Sequence, residues 1–400
     1  MRALLLLPFL LMLGWACSKS LDSPLPSKPN GVRDTAGDIR TVLAAGPYTL
    51  FDQALLKVSM DTPFAFYTMF VPSDSAMTAA GLTSAAIQAL SLDSLYKIMG
   101  YYIVRGIYSD TLIGAYADSL TTELPTLRQD VTYIFQYGGY TAQEYQQNLY
   151  VSYNNGTLYV NGLPANHGVP PLHASNGWIF PLDHALQAPA QSVWGYIQTR
   201  PELSMYLLAN ELVDSIYSAD YFYNATIDSA LFNTVTYLPS GYYYPTPENF
   251  TVLAPTNAAF AAAGFNTAED LRSYVVQSVP TAYPRYNYNA MDSVLKEHYL
   301  YNPGQNPVFY SDMLYSSRMN DGWLNSNAWS QWAYNYANTQ EDTTITPFYP
   351  LFTNKSGLVS IQWSRNPAIP PATQNLSPDS ALLGTNGIIY EIDQLFYPHN

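Results

Sequence analysis

The sequence predicts an α+β protein built from two copies of one domain, the second copy being the larger. Two pairs of repeated stretches indicate the duplication, since residues 67–82 return at 250–265 and residues 176–183 return at 386–393. Within each copy, helical patterns come first and strand patterns follow, which is typical of an α+β domain. A chain of 400 residues has room for two such domains.

The first repeated pair reads YTMFVPSDSAMTAAGL and FTVLAPTNAAFAAAGF, with an offset of 183 and identity at six of sixteen positions. Each stretch predicts a buried strand ended by a proline, a pair of polar capping residues, and a short helix ended by a glycine. The corresponding residues are Pro72 and Pro255, Ser73-Asp74 and Thr256-Asn257, and Gly81 and Gly264. We interpret Asp74 and Asn257 as helix caps, with direct ligand contact as the alternative.

The second repeated pair reads NGWIFPLD and NGIIYEID, at an offset of 210. Asn-Gly is a strong turn signal, and the apolar run that follows it predicts a strand. Because the offset rises from 183 to 210, the second copy carries 27 more residues between the two landmarks. The repeat therefore predicts one domain plan with an enlarged second copy.

Apolar residues at helical spacing predict helices at the start of each copy, over residues 39–58 and 193–215. Gly46-Pro47 should divide the first of these regions, and Pro201 the second, because proline interrupts a helix. A further helix is predicted at 92–99 and at 291–296. The remaining parts of both copies are rich in tyrosine, valine and threonine and predict short strands.

These landmarks resemble the conserved motifs of the fasciclin domain. TMFVPSDSAM and TVLAPTNAAF resemble the first motif of that family, and NGWIFPLDHALQAP and NGIIYEIDQLFYP resemble its last strand. Between them, family members carry a motif built around a Tyr-His pair. LYKIMGYYIVRGIY fills that place in the first copy with Tyr102 at the histidine position, and LKEHYLYN fills it in the second copy, keeping His298 but with Glu297 at the tyrosine position.

The resemblance covers residues 37–189 and 190–398, and implies two tandem fasciclin-like domains. Each would be a wedge-shaped β-sandwich with helices packed along one edge. In the family the Tyr-His region has been implicated in cell adhesion, but neither copy keeps the full pair. His298 therefore has two interpretations: a residue of an adhesion site, or a histidine hydrogen-bonded inside its domain.

The start of the chain resembles a bacterial lipoprotein signal peptide. Met1-Arg2 is followed by the apolar run 3–13 and then by Gly14-Trp15-Ala16-Cys17, which contains the only cysteine of the chain. This predicts a signal peptide over residues 1–16, a lipidated Cys17, and a flexible tether over 17–36. An ordinary secretory signal with an incidental cysteine is the alternative. The resemblance implies a lipid-anchored protein of the cell envelope, at the outer membrane of a Gram-negative bacterium.

Sequence patterns give little support to catalysis, and the net charge of −14 argues against nucleic acid as a partner. No HExxH, G-x-S-x-G, Walker or dinucleotide-binding motif occurs. The histidines of HGVPPLH, His167 and His173, could hold a metal only with further ligands. We therefore predict no catalytic residue, no cofactor and no metal.

The most distinctive segment is the aromatic-rich insertion around residues 301–350 of the second copy. Its rings are interleaved with asparagine, serine and glutamine, a combination suited to stacking on sugars or to protein–protein contacts. They include Trp323, Trp329, Trp332, Tyr334 and Tyr336. The alternative is core packing, since Trp329 and Trp332 share one helical face. We expect a non-enzymatic envelope lipoprotein that mediates adhesion or binds an extracellular polymer or protein, or else a glycan-capturing accessory protein of a polysaccharide-uptake system.

Overall fold

The structure is a computed structural model. It describes residues 37–60, 66–114, 121–136, 139–154, 156–166, 168–218, 250–277, 290–295, 298–300, 307–315, 351–355, 358–363, 372–377 and 381–396. We call residues 37–189 the first copy and residues 190–398 the second copy. Among the described residues, no helix is long and apolar enough to cross a membrane.

The first copy begins with helices and continues with strands. Its helices are α1 (Ile39–Ala45), α2 (Thr49–Lys57), α3 (Asp74–Ala79), α4 (Ser84–Ala89), α5 (Leu92–Gly100) and α6 (Asp110–Gly114). Its strands are β1 (Tyr67–Pro72), β2 (Ile103–Arg105), β3 (Thr122–Gln136), β4 (Gly139–Asn154), β5 (Thr157–Val160), β6 (Leu163–Pro164), β7 (Leu172–Ala174) and β8 (Gly177–Leu182).

These eight strands form one sheet in the order β6-β5-β4-β3-β2-β1-β8-β7. The first landmark strand, β1, pairs in parallel with the last strand, β8, so that Tyr67 lies opposite Gly177 and Pro72 opposite Leu182. On its other side β1 pairs antiparallel with β2. A Cβ atom at Gly177 would collide with the carbonyl oxygen of Tyr67, so the glycine of the Asn-Gly landmark allows this close pairing.

The second copy has the same kinds of elements in the same order. Its helices are α7 (Val193–Thr199), a 3₁₀ turn (Pro201–Leu203), α8 (Ser204–Ser218), α9 (Asn257–Ala262), α10 (Ala268–Gln277), α11 (Ala290–Leu295) and α12 (Tyr310–Tyr315). Its strands are β9 (Phe250–Pro255), β10 (Tyr299–Leu300), β11 (Leu351–Lys355), β12 (Leu358–Trp363), β13 (Ala372–Asn375), β14 (Ala381–Gly384) and β15 (Gly387–Ile392).

Strand pairing around the landmark strands of the second copy repeats that of the first. The sheet order β10-β9-β15-β14 corresponds to β2-β1-β8-β7, and β9 pairs in parallel with β15 as β1 does with β8. Phe250 lies opposite Gly387, which matches Tyr67 opposite Gly177 at the two offsets found in the sequence. Strands β11, β12 and β13 form a separate sheet.

Each copy has an apolar core between its helices and the landmark strands. In the first copy the core joins Phe51 and Leu55 of α2 to Phe70 of β1 and Phe180 of β8. The rings of Phe70 and Phe180 are stacked at 5.3 Å between centroids. In the second copy, one cluster lies under α8, α9 and α10, and another surrounds Phe309. The latter cluster also contains Tyr150 of the first copy.

The predicted mixture of helices and sheets is confirmed, and several predicted boundaries agree with the structure. A break at Gly46-Pro47 separates α1 from α2, and Pro201 begins the turn between α7 and α8. Strands β1 and β9 end at Pro72 and Pro255, as expected for a residue without an N–H donor.

The prediction of short strands throughout the rest of each copy is wrong for one hairpin. Strands β3 and β4 have 15 and 16 residues and pair with each other along most of their length. Between residues 126 and 136 the sequence contains no proline or glycine that would stop the strand, and the only strong turn signal is Gly138-Gly139. Helices α4, α6, α10 and α12 are also absent from the sequence prediction.

Candidate functional site

The family-motif residues Asp74 and Asn257 hold two helices together. The Asp74 carboxylate accepts hydrogen bonds from the Leu50 N–H and the Thr49 hydroxyl, both at 2.8 Å, at the start of α2. In the second copy, the Asn257 side-chain oxygen accepts from the Met205 N–H at 2.9 Å, at the start of α8. Each side chain therefore caps an earlier helix of its own copy.

This geometry corrects the sequence interpretation of the capping pairs. Ser73 and Thr256 do cap the helices that follow, because their hydroxyl oxygens accept from the N–H groups of Ala76 and Ala259. Asp74 and Asn257 are caps of a different helix, since each is the first residue of its own helix and its side chain reaches back to an earlier one. The side chain of a residue at the first helical position is poorly placed to accept from an N–H group of its own helix. This explains why Ser73 and Thr256 cap the helices that follow, while Asp74 and Asn257 cap earlier ones.

A second pair of caps was not recognised in the sequence. The Asn176 side-chain oxygen accepts from the Ile39 N–H at 2.8 Å, at the start of α1. The Asn386 side-chain oxygen accepts from the Val193 N–H at 2.9 Å, at the start of α7. The asparagine of each Asn-Gly landmark thus joins the last turn of its copy to the first helix. The only sequence signal for these caps is that asparagine, which the Asn-Gly pattern assigns to a turn.

Tyr102 and His298 occupy the same place in the two copies, directly before β2 and β10. The Tyr102 hydroxyl donates to the Leu186 carbonyl oxygen at 3.0 Å and accepts from the Leu186 N–H at 2.9 Å. His298 Nε2 accepts from the Phe396 N–H at 2.9 Å. Leu186 and Phe396 are separated by the same offset of 210 as the second pair of landmarks. Both side chains fasten the segment that follows the last strand.

The geometry assigns the protonation state of His298. Because Nε2 accepts a hydrogen bond, the proton is on Nδ1, which donates to the Leu253 carbonyl oxygen at 2.9 Å. The imidazole is fully buried, and it stacks on the Phe396 ring at 4.5 Å between centroids. Burial lowers the pKa of His298 to about 3, although the bond to Leu253 opposes the shift. His298 is therefore neutral at physiological pH.

Tyr102 lies in similar surroundings. Its ring is 1% exposed and meets the Phe51 ring edge to face at 5.7 Å, as His298 meets Tyr206 at 6.5 Å. Burial raises the pKa of the Tyr102 hydroxyl to about 12, and the bond to Leu186 opposes that shift. The interpretation of His298 as a histidine hydrogen-bonded inside its domain agrees with this geometry.

Several predicted site residues lie outside the described residues. They are Cys17, His167 and the aromatic residues Trp323, Trp329, Trp332, Tyr334 and Tyr336. His173, the other histidine of the HGVPPLH loop, packs against the Trp178 ring at 4.7 Å between centroids. Within the described ranges, no group of three or more histidine, cysteine, aspartate and glutamate residues could hold a metal ion.

Comparison with known proteins gives a family match and structural similarities. The family model of the fasciclin domain matches residues 44–188. No curated protein matches the chain. Among solved structures, a FAS1 domain pair from the insect cell adhesion molecule fasciclin I is similar at 14% sequence identity, covering 89% of this chain and 98% of that one, with a TM-score of 0.31. The family match falls on the first copy.

Proposed function

We propose that the chain is a non-enzymatic, lipid-anchored protein of the bacterial cell envelope that acts in adhesion. Two observations support this proposal: residues 44–188 match the family model of the fasciclin domain, and the start of the chain resembles a lipoprotein signal peptide. Fasciclin domains are generally associated with cell adhesion or binding. Here the partner would be an extracellular polymer or a protein.

We also propose that residues 190–398 form a second fasciclin domain. The support is the repetition of the frame: the parallel pairing of β9 with β15, the cap from Asn257 to the preceding helix, and the bond from His298 to the segment after β15. Each has its counterpart in the first copy at the corresponding residue. Two copies of one frame would then present two different surfaces.

The observation that carries the proposed binding role is the set of hydrogen bonds made by the family-motif side chains. Asp74, Tyr102, Asn257 and His298 all bond to backbone groups of their own copy. Their polar groups therefore stabilise the frame, and a partner would be recognised by residues in which the copies differ. The aromatic-rich segment of the second copy is such a region, and aromatic residues dominate the energetics of protein interfaces.

The second candidate function, glycan capture for polysaccharide uptake, is favoured by the composition of one stretch. WLNSNAWSQW (residues 323–332) places three tryptophans among asparagine, serine and glutamine. Indole rings can stack on the C–H faces of sugars, while amides and hydroxyls can bond to sugar hydroxyl groups. This candidate predicts a polysaccharide ligand rather than a protein.

A binding assay tests both candidates. The mature chain with Cys17→Ser would be presented to a panel of polysaccharides and extracellular matrix proteins, and Trp329→Ala would be compared with Tyr96→Ala. Tyr96 is an aromatic residue of α5 in the first copy and is 47% exposed, so it is a matched control. We expect binding that Trp329→Ala weakens at least tenfold and Tyr96→Ala leaves unchanged.

The class of ligand decides between the candidates. Polysaccharide binding lost in Trp329→Ala supports glycan capture, and protein binding lost in the same variant supports adhesion through this segment. Binding that survives Trp329→Ala would move the site elsewhere on the chain. Failure to bind any member of either class would contradict the proposed function.

A further inference from the structure

Helix α12 in the second copy is the counterpart of α6 in the first. In the first copy the Thr68 hydroxyl oxygen accepts from the Tyr108 N–H at 2.9 Å, two residues before α6. In the second copy the Thr251 hydroxyl oxygen accepts from the Val308 N–H at 2.7 Å, two residues before α12. Thr68 and Thr251 are related by the offset of 183. The two helices therefore follow equivalent strands in equivalent positions.

Two of the sequence differences between the copies change the hydrogen bonding at the start of α6 and α12. Ser109 caps α6, because its hydroxyl oxygen accepts from the Leu112 N–H at 3.0 Å. The corresponding residue of the second copy is Phe309, which has no such oxygen. In the first copy the later residue donates to the earlier one, whereas in the second copy the earlier residue donates to the later one. The Asp312 carboxylate, at the position of Leu112, accepts from the Phe309 N–H at 2.8 Å. The serine and leucine of the first copy thus correspond to a phenylalanine and an aspartate in the second copy.

Phe309 packs against the first copy. Its ring lies 5.1 Å from that of Tyr150 in β4, with an angle of 39° between their planes. Phe309 also covers Gly162, where an added Cβ would lie 2.7 Å from a ring carbon of Phe309. The Gly162 φ of +81° also favours glycine. Phe309 is fully buried and Tyr150 is 5% exposed, so the contact excludes water.

Asp312 bonds to the first copy beside this contact. One oxygen of its carboxylate accepts from both the N–H and the hydroxyl of Thr121, at 2.7 and 2.6 Å. Thr121 directly precedes β3, and both residues are almost fully buried. With the bond from Phe309, the carboxylate receives three hydrogen bonds, one from its own copy and two from the other. Buried bonds to an ionisable group of this kind are costly to break.

The other side of this segment is fastened to the second copy. The Tyr390 hydroxyl of β15 donates to the Val308 carbonyl oxygen at 3.1 Å. The Tyr310 hydroxyl accepts from the Val359 N–H of β12 at 3.4 Å. Met313 of α12 is buried in the same core. Residues 308–315 are therefore bonded to both copies at once.

We propose that residues 308–315, with Phe309 and Asp312 as their contacts to the first copy, form an interdomain clamp that holds the two copies in one relative orientation. The corresponding segment of the first copy has Ser109 and Leu112 at those positions, so the clamp arises from a difference between the copies. Surfaces carried by the two copies then meet a partner at a fixed spacing, which avoids the entropy cost of ordering two mobile domains during binding.

Distance measurements by double electron–electron resonance test the clamp. Cys17→Ser removes the only native cysteine from the full mature chain, and Leu92→Cys and Val276→Cys introduce one spin label in each copy. Both positions are exposed on helices, at 61% and 66%. We expect a single narrow distance distribution for this parent, and a distribution at least twice as wide after Phe309→Ala. A broad distribution in the parent would overturn the proposal.

Two further variants separate the clamp from general loss of structure. Asp312→Leu installs the residue of the first copy and removes both bonds to Thr121, so it should also widen the distribution. Tyr310→Phe removes a bond that lies within the second copy, and should leave the distribution narrow. Circular dichroism checks that each variant is folded. If Phe309→Ala does not fold, Asp312→Leu decides, and a narrow distribution in the folded Asp312→Leu variant overturns the proposal.

Discussion

Single side chains that bond to the backbone of a distant element recur at the same positions in both copies, although their chemistry differs. A carboxylate at Asp74 corresponds to an amide at Asn257, and a phenol at Tyr102 corresponds to an imidazole at His298. What the copies share is the position of an oxygen or nitrogen that accepts from a particular N–H group. The acceptor geometry, rather than the residue type, therefore maintains the frame.

The cap from Asp74 to α2 gives a prediction with an internal control. Asp74→Ala leaves the Leu50 N–H and the Thr49 hydroxyl without this acceptor and should lower the free energy of unfolding by about 1–2 kcal/mol. Asp74→Asn installs the amide that the second copy uses at Asn257, and should cost less than about 0.5 kcal/mol. Urea unfolding of the full chain measures both. Equal losses in the two variants would contradict the role of Asp74 as an acceptor.

Buried His298 makes stability depend on pH in a defined direction. Its folded pKa of about 3 lies below the ordinary 6.5, so the unfolded chain binds the extra proton between these values. Stability from this group is fully present above pH 6.5 and is lost as pH falls toward 3. Between pH 6.5 and 4 the loss is roughly 3 kcal/mol, at about 1.4 kcal/mol per pH unit.

The variant His298→Gln tests this dependence. Glutamine can donate to Leu253 and accept from the Phe396 N–H, but it does not titrate. We expect its urea midpoint to fall less than that of the parent protein between pH 6.5 and 4. Parallel pH profiles for parent and variant would show that the imidazole is not buried in the neutral form.

At the scale of elements, the sequence predicts those strand ends and helix caps that depend on neighbouring residues alone. Pro72 and Pro255 end strands because they lack an N–H donor, and Ser73 and Thr256 cap the helices that follow them. The partners of Asp74 could not be predicted in this way, because Leu50 lies 24 residues earlier and the contact depends on how α2 packs on α3. Local patterns carry no information about such packing.

The clamp helix α12 was missed for the same reason. Its aspartate has no sequence signature, since its partner Thr121 lies 191 residues away. The resemblance to a family motif does identify Tyr102 and His298 as equivalent residues, and in the structure each lies directly before a strand. Of the two interpretations of His298, the hydrogen bond inside its domain agrees with the structure, where Tyr102 and His298 each accept from an N–H group after the last strand of their copy.

Asp312 gives the clamp a pH dependence opposite in sign to that of His298. Burial raises its pKa to about 6, although the bonds from Thr121 and Phe309 oppose the shift. The titratable groups near the carboxylate include the hydroxyls of Tyr310 and Tyr390, and burial raises the pKa of Tyr390 well above its usual value. The folded chain therefore holds a proton between about pH 4 and 6 that the unfolded chain has released, and stability from this group falls as pH rises through that window.

Asp312→Asn should flatten this part of the pH profile. The amide oxygen can still accept from Thr121, but the side chain cannot ionise. Relative to the parent, the variant should gain up to about 3 kcal/mol of unfolding free energy between pH 4 and 7. Because His298 changes stability in the opposite direction, the comparison must be between parent and variant at each pH. A constant difference across the range would contradict a buried, titrating carboxylate.

At the scale of the whole molecule, the copies share a frame and differ in the chain between α6 and β8 in the first copy and between α12 and β15 in the second. The first copy has the long β3–β4 hairpin there, and the second has the aromatic-rich sequence around WLNSNAWSQW. We propose that the shared frame provides support and that the segments in which the copies differ provide recognition, since function on a shared fold depends on the particular site. We expect partner specificity to differ between the two copies.

The proposed lipid anchor makes a separate prediction for the whole chain. Expressed in a Gram-negative host with labelled palmitate, the protein should carry the label and sediment with membranes. Cys17→Ala should abolish the label and move the protein to the soluble fraction. A processed but unlabelled parent protein would favour the alternative of an ordinary secretory signal.

Hydrogen exchange at single amides tests most directly the claim that the chain contains two copies of one frame. The relevant amides form three pairs, each held by the equivalent side chain in its copy: Ile39 and Val193, Leu50 and Met205, and Leu186 and Phe396. We predict slow exchange at both members of every pair, measured by mass spectrometry with fragmentation. Slow exchange in the first copy together with unprotected amides at Val193, Met205 and Phe396 would contradict the repeated frame.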